Sequence, residues 1–381
     1  MNLVISFFGK IQLLFRIKWY FSIPEKKKII IYDYNLPDIL HFYFKKKITY
    51  YLYTRLEKIN FYILIKSIVK NLWKWSFFSG YIIEYIKAIK PSLIITFIDN
   101  NIQFYYLKKF FPKIKIAFVQ NGMRGYSNDI FGLLESKKLN KKDIGVDKMF
   151  VWNALVGNMY KKYLSGNYYN IGSIVNNHVK LLKKKRKKKS LLFISEFRNN
   201  NLGYDLSKDS YSIEKKLISF LYNFCEKNFL IFEICSNLKN SVNEFKFYKN
   251  LMPGDNWKFL EKKNQFSGYY YIDEALVTVF VSSSLGYESI SRGNKTAAFT
   301  LRHLATENES YKFGWPYKFP EKGKIWTNKY DEKIFDRILK YLIYSNYKDY
   351  YAYQKKIIPN ILTRYSGNKK FLSIISHDIK K

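Results

Sequence analysis

Residues 276–293, L-V-T-V-F-V-S-S-S-L-G-Y-E-S-I-S-R-G, decide the fold of this chain. Residues 276–281 form a continuous apolar run, as is typical of a short strand buried in a parallel sheet. Three serines follow, and Ser284 is predicted to cap a short helix that ends at Gly293. A strand, a polar turn and a helix in this order form the repeating unit of an α/β sheet. Such sheets bind ligands beyond the carboxyl ends of their strands, which is where the serines fall.

The same order of elements recurs in both halves of the sequence. Short apolar strands between helical segments are predicted at residues 28–34, 93–98, 115–119, 191–195 and 229–235. Residues 183–189 (KKKRKKK) hold only basic side chains, which cannot pack in a core and therefore form a solvated connector or a hairpin rim. We predict an α/β protein of two Rossmann-like domains that face a cleft. The predicted domains are residues 1–175 and 176–346, followed by a helical tail at residues 347–381.

The charge of the chain is strongly unbalanced. Its 381 residues include 66 Lys and Arg against 30 Asp and Glu, a formal net charge of +36. This excess indicates an anionic partner, either nucleic acid, a membrane surface or a phosphorylated substrate. Drift towards the Lys, Asn, Ile, Tyr and Phe codons of an AT-rich genome explains it equally well. The two cysteines, Cys225 and Cys235, exclude a disulfide scaffold and a multi-cysteine zinc site.

Several common phosphate and metal motifs are absent from the sequence. It has no G-x-x-x-x-G-K-[ST] and no G-x-G-x-x-G, which counts against a P-loop or dinucleotide-binding protein. It also has no D-x-D triplet to hold Mg²⁺ on a diphosphate. We therefore expect chemistry that needs no metal site and no resident cofactor.

The N-terminal segment is the best candidate for contact with a membrane. No run of 18 apolar residues is free of charge, so no spanning helix is predicted. Within residues 1–24, apolar side chains recur at helical spacing with Lys10, Arg16 and Lys18 between them. This pattern predicts a basic amphipathic helix on an anionic membrane surface. A first helix packed on its own domain fits the pattern at least as well.

The serine turn is a candidate site for a phosphorylated ligand. The first amides of a helix after Ser284 would be free donors at the positive end of the helix dipole, and such a turn accepts a phosphate. Glu288 is four residues further on and shares a helix face with Ser284. Its carboxylate could accept hydrogen bonds from ribose hydroxyls. Ordinary helix capping, with Glu288 solvated, is the alternative.

Four segments together resemble the bacterial surface carbohydrate biosynthesis transferases, which are glycosyltransferases of the GT-B type. The segments are residues 118–125 (FVQNGMRG), 191–198 (LLFISEFR), 271–293 (YIDEALVTVFVSSSLGYESISRG) and 313–328 (FGWPYKFPEKGKIWTN), with the tail to residue 368. The resemblance covers roughly residues 90–370. It implies a nucleotide-activated sugar in the C-terminal half, an acceptor in the N-terminal half, and a C-terminal helix that returns to the first domain. It also implies a role in capsule, O-antigen or lipopolysaccharide assembly.

The resemblance assigns roles to residues of the second half. Ser282, Ser283 and Ser284 would hold the donor phosphate, and Glu288 the ribose. Arg198 is a candidate for the phosphates, because a guanidinium can bridge two oxygens. A surface arginine at the start of a loop is an equal alternative.

The candidate catalytic residues are Asp99, Asn121 and Glu196. Related polymer transferases have a histidine where this chain has Asn121, and an asparagine cannot take a proton at neutral pH. Asn121, with Gly122 and Arg124, is therefore a candidate for binding the acceptor or the departing phosphate. A carboxylate base would activate an acceptor hydroxyl, and Asp99 or Glu196 could supply it. Capping of the next helix is the alternative role for Asp99.

The resulting hypothesis is a glycosyltransferase that moves a sugar from a nucleotide sugar to a lipid-linked or growing surface glycan. We expect it in the cytoplasm, on the inner face of the cytoplasmic membrane. Glycerol-phosphate or polyol-phosphate transfer from a cytidine nucleotide is the nearest enzyme alternative, and a nucleotide-sugar epimerase is the third. The remaining alternative is a non-catalytic protein that binds nucleic acid or polysaccharide, although no specific nucleic-acid motif is present.

Overall fold

The computed structural model describes residues 17–35, 38–55, 58–71, 77–126, 129–182, 188–198, 208–252 and 254–380. Most of the predicted N-terminal helix and most of the basic connector, residues 183–187, lie outside these ranges. The strands are β1 (Lys18–Tyr20), β2 (Ile29–Tyr32), β3 (Thr49–Leu52), β4 (Lys58–Asn60), β5 (Leu93–Thr96), β6 (Lys115–Val119), β7 (Gly145–Val151), β8 (Ser165–Asn170), β9 (Lys188–Ile194), β10 (Ile231–Cys235), β11 (Trp257–Leu260), β12 (Ala275–Phe280), β13 (Thr296–Phe299) and β14 (Trp326–Thr327).

Helices alternate with these strands. They are α1 (Phe61–Asn71), α2 (Phe77–Ile89), α3 (Ile102–Tyr105), α4 (Leu107–Phe110), α5 (Ile130–Ser136), α6 (Ala154–Tyr163), α7 (Ile174–His178), α8 (Lys208–Lys227), α9 (Val242–Lys249), α10 (Ser267–Glu274), α11 (Ser284–Ser291), α12 (Arg302–Thr306), α13 (Glu332–Tyr344), α14 (Tyr347–Ile361) and α15 (Lys369–Lys380). Short 3₁₀ turns span Ile39–Phe42, Lys46–Ile48, Glu309–Tyr311 and Ser366–Asn368. None of the helices in the described ranges has the length and apolar character needed to cross a membrane.

Two parallel sheets of six strands form the two halves of the molecule. The first has the order β3-β2-β5-β6-β7-β8, and the second has the order β11-β10-β9-β12-β13-β14. Every strand pair within them is parallel. The central strands are apolar throughout because helices cover both faces, and Ile29, Ile30 and Ile31 of β2 are wholly buried. The predicted architecture of two Rossmann-like domains is confirmed.

The tail of the chain returns to the first sheet. The Nδ2 of Asn153 donates to the carbonyl of Ile361, at the end of α14, at 2.7 Å. Phe371 and Ile375 of α15 are buried in the same cluster as Ile29 and Leu93 of the first sheet. The predicted return of the C-terminal helix towards the first domain is therefore confirmed, and α15 extends it.

The sequence patterns missed several short edge elements. Lys18–Tyr20 is a strand that pairs with β4, where a helix over residues 1–24 was predicted, so that helix does not extend through this segment. Strand β3, T-Y-Y-L, lies at an edge of its sheet and has two half-buried tyrosines. Edge strands lack the continuous apolar pattern that identifies central ones, which is why β3 and β11 were not predicted.

Candidate functional site at the facing sheet edges

The carboxyl edges of the two sheets meet at one point. The turn after β6 lies against the start of α11, and the backbone N–H of Met123 donates to Oγ of Ser284 at 3.0 Å. A Cβ on Gly122 would lie 3.1 Å from the same Oγ. Any larger residue at position 122 would press on the serine turn, so the close approach of the two halves accounts for the glycine.

In each sheet the strand order reverses at one position, and polar residues gather there. The reversal falls between β2 and β5 in the first sheet and between β9 and β12 in the second. Glu196 follows β9 and Ser282 follows β12, while Asp33 follows β2 and Asp99 follows β5. Doubly wound sheets bind ligands in the crevice at this reversal. The two crevices are therefore the candidate binding sites.

A buried ion-pair cluster holds the serine turn of the second sheet. Nη1 of Arg302 donates to Glu196 at 2.7 Å, and Nη2 donates to Glu214 at 2.6 Å. Glu196 also accepts the backbone N–H and the hydroxyl of Ser282, at 2.5 and 2.6 Å. The prediction of Glu196 as a catalytic base is corrected, because both of its carboxylate oxygens are occupied by Ser282 and Arg302. Its role is to fix the turn.

The three serines have different partners. Ser282 donates its hydroxyl proton to Glu196, so its hydroxyl is already used. Ser283, with extended backbone angles, is the N-cap of α11, and its Oγ accepts the N–H of Leu285 at 3.3 Å. The predicted cap at Ser284 is therefore wrong by one residue. The Oγ atoms of Ser283 and Ser284 both act as acceptors, and each hydroxyl still has a proton to donate.

Arg198 lies at the mouth of the same crevice. It follows β9 and is exposed, whereas Arg302 is buried. Burial raises the pKa of the Glu214 carboxyl, and the positive charges of Arg302 and Arg198 oppose this rise. Both ends of the Arg302 guanidinium are bound to carboxylates, whereas Arg198 is exposed.

Glu288 lies where the second domain meets the residues that follow β8. Its Oε2 accepts the hydroxyl proton of Tyr269 at 2.7 Å, and its Oε1 accepts that of Ser173. The expectation that Glu288 faces an open cleft and receives ribose hydroxyls is wrong, since the residue is only 5% exposed and both oxygens are occupied. Burial raises the pKa of Glu288 to about 7. Glu288 thus ties the residues after the first sheet to α10.

Glu288→Gln is expected to remove part of the pH dependence of stability. Burial raises the folded-state pKa from 4.5 to about 7, so folding favours the protonated form. The stabilisation that protonated Glu288 contributes is complete below the pKa of the unfolded state and is lost as the pH rises through the folded-state pKa of about 7. At 1.36 kcal/mol per pH unit, this loss is about 3 kcal/mol. Urea unfolding at about pH 5 and about pH 8 measures it.

A second buried acid sets the control for that experiment. Burial raises the pKa of Asp38 to about 6, which gives a pH dependence of the same sign that remains in the variant. The fall in the free energy of unfolding between the two pH values should therefore become smaller in Glu288→Gln without disappearing. An unchanged slope in Glu288→Gln would contradict the assignment.

Asp99 is an anchor inside the first domain. Its carboxylate accepts the N–H of Asn121 at 3.1 Å, Nε of Arg124 at 2.8 Å and the hydroxyl of Tyr160 at 2.6 Å, with a further bond from Nη2 of Arg124. Its side chain is wholly buried. The predicted role of Asp99 as a base is corrected. Both carboxylate oxygens already accept hydrogen bonds, and burial keeps any substrate hydroxyl away from them.

The same network fixes the turn that meets Ser284. Arg124 also donates to Oδ1 of Asn121 and to the carbonyl of Met123, each at 2.9 Å. The predicted phosphate role of Arg124 is corrected, because its guanidinium is buried and spent on these partners. Asn121 is half-buried beside Gly122. These two residues remain candidates for contact with the acceptor.

A cavity that the sequence patterns missed lies at the reversal of the first sheet. It has a volume of about 540 Å³. Its lining residues include Asp33, Arg55, Asn100, Asn101, Gln103 and Tyr106. Asp33 accepts from Nε of Arg55 at 3.1 Å and from Nδ2 of Asn101 at 3.2 Å. Amide, hydroxyl and charged groups of this kind bind sugar hydroxyls. Asp33 lies within the predicted strand 28–34, and nothing near it in sequence indicates a cavity.

Three solved structures share the fold. A candidate UDP-N-acetylglucosamine 2-epimerase from Listeria monocytogenes aligns with a TM-score of 0.53 and 10% identity, over 93% of this chain and 96% of that one. Another UDP-N-acetylglucosamine 2-epimerase aligns with a TM-score of 0.52 and 12% identity, over 94% of this chain and 98% of that one. The S. aureus MnaA–UDP structure aligns with a TM-score of 0.50 and 13% identity, over 88% of this chain and 82% of that one. The fold is thus the GT-B arrangement of two Rossmann-like domains.

The sequence comparisons point to bacterial surface glycans. No curated protein matches the chain. Residues 117–379 match the family model for candidate O-antigen biosynthesis proteins. This match spans the turn of Gly122, the tail and the whole second sheet, including the serine turn. On this match and on its GT-B fold, the chain belongs to the family of O-antigen biosynthesis proteins.

Proposed function

We propose that the protein is a glycosyltransferase that moves a sugar from a nucleotide-activated donor to a lipid-linked or growing surface glycan. The observation that carries the proposal is the reversal of strand order in each sheet, lined by polar residues, in two halves that meet where Met123 contacts Ser284. Two facing crevices suit a reaction between two substrates. Membership of the O-antigen biosynthesis family supports a sugar substrate.

The donor belongs to the crevice of the second sheet. The hydroxyl protons of Ser283 and Ser284 suit a diphosphate, which the positive end of the α11 dipole stabilises as it leaves. Arg198 adds a cation at the mouth. In this proposal the nucleotide sugar is a co-substrate, and no metal ion or resident cofactor is needed.

The acceptor belongs to the cavity of the first sheet. Asp33 is the one carboxylate among the described residues that line it, and it holds Arg55 and Asn101 in place there, so we assign it the role of positioning the groups that bind the acceptor. Arg55, whose side chain is 50% exposed, can move away from Asp33 when an acceptor enters.

Epimerisation of a nucleotide sugar is the second candidate. The observation that favours it is the fold likeness to two structures that are described as UDP-N-acetylglucosamine 2-epimerases. An epimerase needs no acceptor and inverts one carbon of the donor sugar. The cavity at Asp33 has no role in that reaction, which is why we rank transfer first.

A screen of sugar nucleotides followed by product analysis tests the proposal. CMP-, UDP-, GDP- and dTDP-linked sugars are added to the full-length chain. A ligand at a hundred times its dissociation constant should stabilise the protein by about 2.7 kcal/mol, a clear shift of the melting temperature. With the stabilising donor, transfer predicts free nucleotide that accumulates only when a glycan acceptor is present. Conversion of the donor to its epimer without acceptor would favour the second candidate.

A matched pair of variants separates the two crevices. Asp33→Asn should leave the donor-induced shift intact and weaken acceptor-dependent release of nucleotide, because Arg55 and Asn101 lose the carboxylate that positions them. Asp143→Asn removes a carboxylate from a surface ion pair with Lys109 and should change neither. Full transfer activity in Asp33→Asn would remove Asp33 from the mechanism.

A further inference from the structure

The helix α1 exposes apolar side chains on the side that faces away from its domain. Those exposed by 40% or more are Phe61, Tyr62, Ile65, Ile68 and Val69. Phe21 is 72% exposed, and its ring centroid lies 5.5 Å from that of Phe61. We call these six residues the apolar stripe. Their spacing along the helix repeats every three to four residues, so they form one continuous face.

The apolar stripe and the buried side of α1 are two different faces of the helix. Ile63 and Ser67 are wholly buried on the opposite side of the helix. A surface helix of a globular protein normally has polar side chains on its outer face. Contiguous apolar surface of this kind marks a site of contact with another protein or with a membrane.

Lysines flank the stripe and determine which partner fits. The carboxylate of Glu84 lies 3.8 Å from Nζ of Lys66, 3.2 Å from that of Lys70 and 2.9 Å from that of Lys87. Three cations therefore share one anion, and the group keeps a net positive charge. Pairing of two copies through this face would bring two such groups together, which opposes a symmetric dimer. An anionic partner is favoured.

We propose that the apolar stripe docks the protein on an anionic lipid bilayer. The helix would lie in the plane of the interface, with the stripe among the acyl chains and Lys66 and Lys70 at the lipid phosphates. The aromatic rings of Phe21, Phe61 and Tyr62 suit the boundary between headgroups and acyl chains. The surface belongs to the domain to which we assign the acceptor, so docking would present that domain to a lipid-linked glycan. Only this last consequence rests on the proposed function.

Vesicle flotation with the full-length chain tests the docking surface. The vesicles are phosphatidylcholine alone or with about one third phosphatidylglycerol. The protein should float with the anionic vesicles, and added salt should weaken binding. Ile65→Ser combined with Val69→Ser should reduce the partition coefficient at least about tenfold, because both side chains leave the acyl region. The control, Val242→Ser with Tyr344→Ser, changes side chains that are 64% and 74% exposed elsewhere, and it should bind like the wild type.

Each alternative gives a different result. The proposal would be overturned if the stripe variant and the control lost vesicle binding equally, or if the intact protein did not float with the anionic vesicles. A concentration-dependent dimer that the stripe substitutions dissociate would assign the face to a second copy instead. Sugar-nucleotide binding is measured on the same samples and should be unchanged in the stripe variant, so failure of docking is distinguishable from failure of the proposed reaction.

Discussion

Replacing Asp99 with alanine should destabilise the protein by about 3–5 kcal/mol, the cost of leaving a buried charge without its partner. The side chain of Arg124 is only 8% exposed, and the Asp99 carboxylate is its counterion. Without it, the guanidinium must remain charged in an apolar interior or the turn at residues 120–125 must open. Urea unfolding of Asp99→Ala at neutral pH measures the loss.

Tyr160→Phe is the graded control for this network. It removes one bond to Asp99 and keeps the ion pair, so the loss should be about 1.5–3 kcal/mol, the range for a hydrogen bond to a charged group. If Asp99→Ala unfolds at the same urea concentration as the wild type, Asp99 is not the anchor of this turn. The role of a solvated base would then return.

Arg302→Leu is expected to have an effect of similar size, about 3–5 kcal/mol, in the second domain. The substitution leaves Glu196 and Glu214 close together without the cation between them. Protonation relieves that repulsion, so the loss of stability relative to the wild type should become smaller as the pH falls. The serine turn also loses its anchor, because Ser282 is held by the Glu196 carboxylate. Sugar-nucleotide binding should fall together with stability.

Arg198→Leu separates binding from folding in the same crevice. Arg198 is exposed and only opposes the effect of burial on Glu214, so its loss should cost much less stability than that of buried Arg302. Donor affinity should nevertheless fall by about 1.5–3 kcal/mol, as expected for the loss of charge-assisted hydrogen bonds to phosphate. Calorimetry with the stabilising sugar nucleotide measures this. Unchanged affinity would reduce Arg198 to a surface residue.

The central strands and the serine turn could be predicted because their signals are local. The apolar run before Ser282 needs a buried sheet, and Gly293 ends its helix with a φ of +90°, a backbone angle that suits glycine. The return of the tail followed from the family resemblance. In each case the residues that carry the prediction are close in sequence or belong to a known arrangement.

The roles of the acids could not be predicted, because their partners are distant in sequence. Glu196 and Arg302 are 106 residues apart, and Glu288 and Ser173 are 115 apart. A lone carboxylate after a strand looks the same whether it is solvated or bound to a buried arginine. Only the fold distinguishes these cases, and it turned two candidate bases, Asp99 and Glu196, into anchors. Asp33 was overlooked for the converse reason, since nothing near it in sequence shows the cavity.

The return of the tail has a consequence for how the protein is made. One face of the first sheet is completed by Phe371 and Ile375 of α15, which are synthesised after the whole second sheet. Domains generally fold in order from the N-terminus as the chain is synthesised. Here the first domain must wait, with Ile29 and Leu93 uncovered on that face, until the second domain has emerged. Nascent chains that stop before α15 should therefore depend on chaperones, even though both sheets are already complete.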